Sequence, residues 1–148
     1  MDYELLIKVA CLVAQMAHKG QTDKMGIDYF NHPKTVASYV DDPKAKIVAY
    51  LHDVIEDTYI TEEELRPVFG DEITDCVLIL TKDKHEDYLE YIDRVATNPI
   101  TTTVKLADLK HNMSPERNLN PTEKDLKRLD KYKKAKAILL QKKDAPAS

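Results

Sequence analysis

Eleven consecutive residues, Val48-Ala49-Tyr50-Leu51-His52-Asp53-Val54-Ile55-Glu56-Asp57-Thr58, constrain this chain more than any other segment. The run is apolar and helical in pattern, yet it carries a histidine and three carboxylates. Val48, Leu51, Val54 and Ile55 recur at helix-face spacing, which predicts a segment packed into a core. Ionised carboxylates in such a place cost on the order of several kcal/mol each unless something pairs them, and few lysines or arginines are near in sequence. A divalent cation meets that need, and His-Asp is a sensible pair of ligands for one. The competing reading is a surface helix with an acidic face; the tight interleaving of acids with apolar residues argues against it.

The rest of the chain points to an all-α fold. Its 148 residues suit one domain, 1–148, with a sizeable core. Three glycines and no tryptophan, among many Leu, Ala, Lys and Glu, favour helices. Cys11 and Cys76 lie in apolar runs and read as small core residues of a reducing compartment. Asp2 and Glu4 stand where a secretory leader would be basic, and no apolar run reaches the roughly 18 residues of a membrane span; the expectation is a cytoplasmic protein without a membrane partner. Residues 124–143 hold nine Lys/Arg and two Asp, so the remainder carries −11 of the net −4. That balance argues against a nucleic-acid-binding face over most of the protein. The Lys-rich C-terminal helix, about 121–142, reads as a solvated face, with attraction of a polyphosphate or an acidic partner as the alternative.

The helices are well punctuated. Over 3–18 the apolar stripe is Leu5, Leu6, Val9, Leu12, Val13, Met16 and Ala17, stopped near Gly20. Residues 21–31 read as a loop and Pro33 opens a short helix. Asp42-Pro43 starts the helix of the main motif. Thr61 and Glu64 form a capping box, Gly70 ends that helix, and Asp71 caps the next, with Ile73, Val77, Leu78 and Leu80 core-like. Another helix covers 86–97. Asn120-Pro121-Thr122-Glu123 reads as a second capping box. Ile100-Thr101-Thr102-Thr103-Val104 has strand propensity, but Leu106, Leu109 and Met113 continue at helical spacing and predict a helix over 100–113.

Three segments carry the chemistry: Tyr29-Phe30-Asn31-His32-Pro33, His52-Asp53 with Glu56-Asp57, and Val104 to Met113. On a continuous helix Glu56, three residues after Asp53 and four after His52, reaches the same side. His52 and Asp53, about 100° apart around the axis, can converge on an ion beside it. Asp108, His111 and Asn112 share a face by the same rule, and Asp108 needs a partner within its apolar run. Singly these signals are weak, since His32 can be a cap and Asp108 can pair with Lys105. Joined in this order they are specific.

The residues His18-Lys19-Gly20-Gln21, Tyr29…His32-Pro33, Leu51 to Thr58, Thr81-Lys82 and Val104 to Asp108…His111-Asn112-Met113 resemble the HD-domain metal-dependent phosphohydrolases. More narrowly, they resemble the (p)ppGpp hydrolase domain of the Rel/Spo proteins and their small stand-alone relatives. The resemblance implies an all-helical bundle and Mn²⁺ held by His32, His52, Asp53 and Asp108; Fe²⁺ or Zn²⁺ also suits such donors. It assigns water handling to Glu56 and Asp57, and substrate contacts to Lys24 and Asn112. Lys105 is a further candidate for the polyanion, together with Lys82 and Lys19, or a structural partner of a site carboxylate. The activity implied is removal of the 3′-pyrophosphate of ppGpp or pppGpp, a guanosine-nucleotide alarmone, as pyrophosphate to leave GDP or GTP. Asp23 stands where many members carry an arginine that packs on guanine, which an aspartate cannot do. That departure keeps open another nucleotide, such as the 2′-phosphate of NADPH, or a non-catalytic nucleotide sensor. Oligomeric state stays open.

Overall fold

A computed structural model describes residues 1–144; the last four residues of the expected 1–148 domain lie outside the described residues. Eight α-helices follow one another: α1 (Tyr3–Ala17), α2 (Asn31–Ser38), α3 (Pro43–Leu51), α4 (Val54–Asp57), α5 (Glu62–Leu80), α6 (Tyr88–Val95), α7 (Pro99–Asn112) and α8 (Glu123–Lys143), with a 3₁₀ turn at Pro115–Arg117 before the last. Among the described residues the only β pairing is an isolated bridge between Thr22 and Asp28. The all-helical expectation is met. Among the described residues no helix is long and apolar enough to cross a membrane.

α3 is the central rod. It packs against α1, α2, α5 and α7, while α8 lies across α6 and α7. Ile47, Val48, Leu51, Val54, Phe69, Val77, Ile92, Leu109 and Leu139 are fully buried in one apolar cluster. Cys76 is buried, Cys11 is partly exposed, and both are free thiols.

The face of α1 differs from the stripe expected. Leu5, Leu12 and Met16 are exposed, and Ala10 and Ala14 are fully buried. Leu6, Val9, Val13 and Ala17 of that stripe do pack against the core. α1 lies against the buried rod α3, and small side chains in the most buried positions suit a close approach of the two helices. Other boundaries shift for local reasons. α2 begins at Asn31, so Pro33 is its third residue. Within α5 Gly70 does end the first helical stretch as expected: its φ 83°, ψ 171° is non-helical, and the chain re-enters a helix after it. Asp71 is engaged by Arg66 at 3.0 Å. At α8 the box is closed by Thr122 and Asp125 rather than from Asn120, whose φ is +52°.

The helix expected over 100–113 is present despite its threonines. Asn98 caps it through the Ile100 and Thr101 amides, and the Thr101 and Thr102 hydroxyls donate to the Val95 and Asn98 carbonyls. The β-branched residues thus serve the α6–α7 corner, and tertiary context overrides their propensity.

Candidate metal centre and active-site cleft

The main motif is not one helix. α3 stops at Leu51 and α4 restarts at Val54, so His52 and Asp53 occupy the break. His52 Nδ1 lies 2.6 Å from the Ala49 carbonyl oxygen, and because a carbonyl only accepts, Nδ1 carries the proton. Nε2 is left with its lone pair facing the interior. The break makes a corner, and across it His52, Asp53 and Glu56 still reach one side as expected, since all three border the same cleft.

Three elements meet at this corner. His32 comes from the first turn of α2, and Asp108 from the buried face of α7. His32 Nε2 is 2.7 Å from Asp108 Oδ1 and 3.9 Å from Asp53 Oδ2. His52 Nε2 is 3.1 Å from Asp53 Oδ2 and 3.4 Å from Asp108 Oδ1. Donor atoms of His32, His52 and Asp53 all lie within 4.8 Å of one another. His52 Nε2 is buried and has no well-directed hydrogen bond, although two carboxylates lie beside it. A buried lone pair converging with carboxylate oxygens in that way fits a divalent cation, and two imidazoles with two carboxylates are a mixed N/O set.

Electrostatics agree with that fit. Burial lowers the pKa of His32 despite the opposing Asp108, and so favours the neutral, ligating imidazole. Burial also resists charge on His52, but Asp53 and Asp108 outweigh it and hold its pKa well above the usual value. A cation among the same donors would take the place of that proton. Burial resists ionisation of Asp53 and Asp108 as well. His52 beside Asp53, and Lys105 with the two histidines beside Asp108, nevertheless keep both carboxyls below the usual range.

Each donor has a supporting residue. The Tyr29 hydroxyl donates to Asp53 Oδ2 at 2.7 Å; burial and the Asp53 charge keep that phenol protonated. Asp108 accepts from Lys105 Nζ at 2.7 Å and from Asn112 Nδ2 at 3.1 Å. Lys105 therefore takes the role of ion-pair partner, and the carboxylate's charge holds its pKa well up against burial. Asn112 uses its other end to accept from Arg117 Nη1 at 2.7 Å.

The donors line the floor of a cleft of about 420 Å³, bordered by Glu56, Asp57, Lys82, Tyr88, Lys131 and Tyr132 among others. The Glu56 carboxylate accepts from the Lys82 amide at 2.7 Å, and desolvation raises its pKa. Desolvation, with Asp53 and Glu56 nearby, pushes Asp57 up to about 6. Its backbone is tied from the other side, since Gln21 Nε2 donates to the Asp57 carbonyl at 2.8 Å while Gln21 Oε1 accepts from His18 Nδ1 at 2.8 Å.

A second hollow of about 260 Å³ adjoins the cleft and shares Tyr29, Asn112, Arg117 and Tyr132 with it. Lys24 lies there, paired with Asp125 of α8 at 2.9 Å. Asp23 also borders it, with Oδ1 accepting from the Met25 and Ile27 amides; its carboxylate staples the loop. Lys19 is exposed and does not border the cleft.

Sequence reasoning missed Lys131, Tyr132, Arg117 and Arg128. Three of them sit on α8, whose even spread of lysines gives no signal for which ones face inward. Lys131 lies 4.4 Å from the centre of the Tyr88 ring, and burial with the neighbouring Arg128, Lys82 and Lys105 lowers its pKa. Among the described residues neither Lys82 nor Lys131 has a carboxylate partner. The reading of α8 as a purely solvated face is thereby corrected: one edge of it walls the cleft.

Known proteins agree with this architecture. Over 128 residues, 37% are identical to a guanosine-3′,5′-bis(diphosphate) 3′-pyrophosphohydrolase of Haemophilus influenzae, covering 76% of this chain and 19% of that protein. A GTP pyrophosphokinase of Streptomyces coelicolor is 35% identical over 146 residues, 90% of this chain and 16% of its own length. The chain thus spans about a fifth of the curated relatives it matches. Among solved structures, a metazoan SpoT orthologue described as hydrolysing ppGpp superposes with a TM-score of 0.77 at 24% identity, over 92% of this chain and 85% of that one. A Listeria monocytogenes protein gives 0.63 at 25% identity, over 80% and 85%. The HD-domain family model matches residues 10–98, which include His32, His52 and Asp53, and the chain belongs to the HD-domain family.

Proposed function

We propose that this chain is an Mn²⁺-dependent hydrolase that removes the 3′-pyrophosphate of ppGpp or pppGpp, leaving GDP or GTP. The observation that carries the reading is the convergence of His32, His52, Asp53 and Asp108 beneath a cleft whose rim holds unpaired cations. The relatives are named both for making and for breaking the alarmone. Buried imidazole and carboxylate donors support the hydrolytic side, because they suit water activation at a phosphorus centre.

Bound there, the cation supplies Lewis acidity, polarising a phosphate oxygen and acidifying a neighbouring water. The protein does the rest. Asp57, with its raised pKa, accepts the proton of the attacking water, and Glu56, held by the Lys82 amide, orients that water. Lys82 and Lys131 face the incoming diphosphate and offset the acidic floor. Lys24 and Asn112 border the adjoining hollow, where a nucleoside would lie.

The test is turnover of ppGpp by metal-stripped protein with and without Mn²⁺, products resolved by anion exchange. GDP plus pyrophosphate only with Mn²⁺ is expected. Asp23, turned into its own loop, offers no plane for a base, so NADPH and simple nucleotides belong in the same panel. Product from NADPH with none from ppGpp would move the substrate and leave the metal chemistry in place.

A further inference from the structure

His111 is fully buried on α7, outside the donor set, and its ring lies nearly in the plane of the His32 ring, 13° apart. His32 Nδ1 and His111 Nδ1 are 2.7 Å apart. On its far side His111 Nε2 is 2.8 Å from Glu116 Oε1. Arg117 Nη1 also lies 2.7 Å from His32 Nδ1, and donates to Asn112 Oδ1 at 2.7 Å.

Chemistry fixes the direction of this chain of contacts. A neutral imidazole that offers Nε2 to a cation carries its proton on Nδ1. That proton needs an acceptor. Arg117 is donor only, so with His32 Nδ1 protonated its Nη1 would serve Asn112 alone, whereas His111 Nδ1 can accept. His111 then holds its own proton on Nε2 and donates it to Glu116. The geometry points to His111 and Glu116 as positioning residues that select the metal-binding tautomer of His32 through a Glu116–His111–His32 relay. The inference rests on the metal reading proposed above. Such supporting partners raise ligand basicity and lock the ring's orientation.

The test is Mn²⁺ affinity of the full chain, measured by calorimetry, with the fold checked by circular dichroism. Replacing His111 with Phe removes the acceptor at similar size and is expected to weaken Mn²⁺ binding about 10- to 100-fold. His111→Gln keeps an acceptor oxygen and is expected to recover most of the loss. Glu116 is exposed, so Glu116→Ala spares the fold and is expected to weaken binding by up to about tenfold. In the Zn²⁺-loaded protein, ¹⁵N NMR is expected to place protons on His32 Nδ1 and His111 Nε2. Unchanged Mn²⁺ affinity in both His111→Phe and Glu116→Ala, or a proton on His111 Nδ1, overturns the relay alone. Parent protein that binds no Mn²⁺, or an Asp53→Ala variant that binds it as tightly as the parent, overturns the metal set and the relay together.

Discussion

At the floor of the cleft every donor is held by another residue: Tyr29 holds Asp53, Lys105 and Asn112 hold Asp108, the Ala49 carbonyl orients His52, and His111 abuts His32. At the rim the ties are sparse. Glu56 accepts one amide, the Asp57 carboxylate has no hydrogen bond among the described residues, and Lys82 and Lys131 are free of carboxylates. The difference matches two tasks. Under the proposed function, a small ion with fixed bond lengths rewards donors locked in place, whereas groups that would exchange protons and grip a flexible diphosphate must respond to what arrives.

Substitutions at the floor should therefore cost both fold and function, and those at the rim function alone. The largest effect is expected for Asp108→Ala. It strips a ligand and leaves Lys105 buried without its counter-charge, so stability should fall by about 3–5 kcal/mol by denaturant titration, with loss of bound metal by elemental analysis. An Asp108→Ala protein as stable as its parent would erase the distinction. Next, Glu56→Gln and Asp57→Asn should lower kcat about 10²- to 10⁴-fold with metal content unchanged; loss of metal would make these residues part of the floor. The pH profile sharpens the contrast. As the proposed base, Asp57 would work only when ionised, and its pKa of about 6 predicts that kcat/KM falls as pH drops through that value. A cation beside Asp53 would pull the midpoint lower, never higher, and Asp57→Asn should remove that limb. Smallest is Lys131→Ala, expected to raise KM by about tenfold or less, with kcat and thermal stability held, and with a penalty that shrinks as salt is added.

The segments that hold the donors were legible as candidates (a histidine before a proline, a His-Asp pair within an apolar run, an aspartate between Ala107 and Leu109), but each signal is weak alone, and the family resemblance is what joins His32, His52, Asp53 and Asp108 into one set. The break at His52-Asp53 was not legible, because periodicity reports which residues are apolar and not that an imidazole will take the carbonyl three residues back. The buried face of α1 was read in part: Leu6, Val9, Val13 and Ala17 pack on the core, but the centre of the contact was misplaced. Hydrophobicity favours Leu5, Leu12 and Met16, whereas close approach to α3 selects Ala10 and Ala14. Nothing in the lysine spacing of α8 distinguishes Lys131 from its neighbours, since that depends on how α8 is laid across α6 and α7. Nor does the loop sequence reveal that Asp23 bonds to amides two and four residues onward.

The proposed donors come from residues 32, 52, 53 and 108, so an unfolded chain has no means of bringing them together. Whatever cation the site takes binds the native state and barely the denatured one. At a free concentration ~100 times its Kd, such a ligand adds about 2.7 kcal/mol to the folding free energy. The bundle is in that sense a gauge of the metal around it: a melting curve taken with and without a chelator reads the occupancy of the centre, with no substrate present.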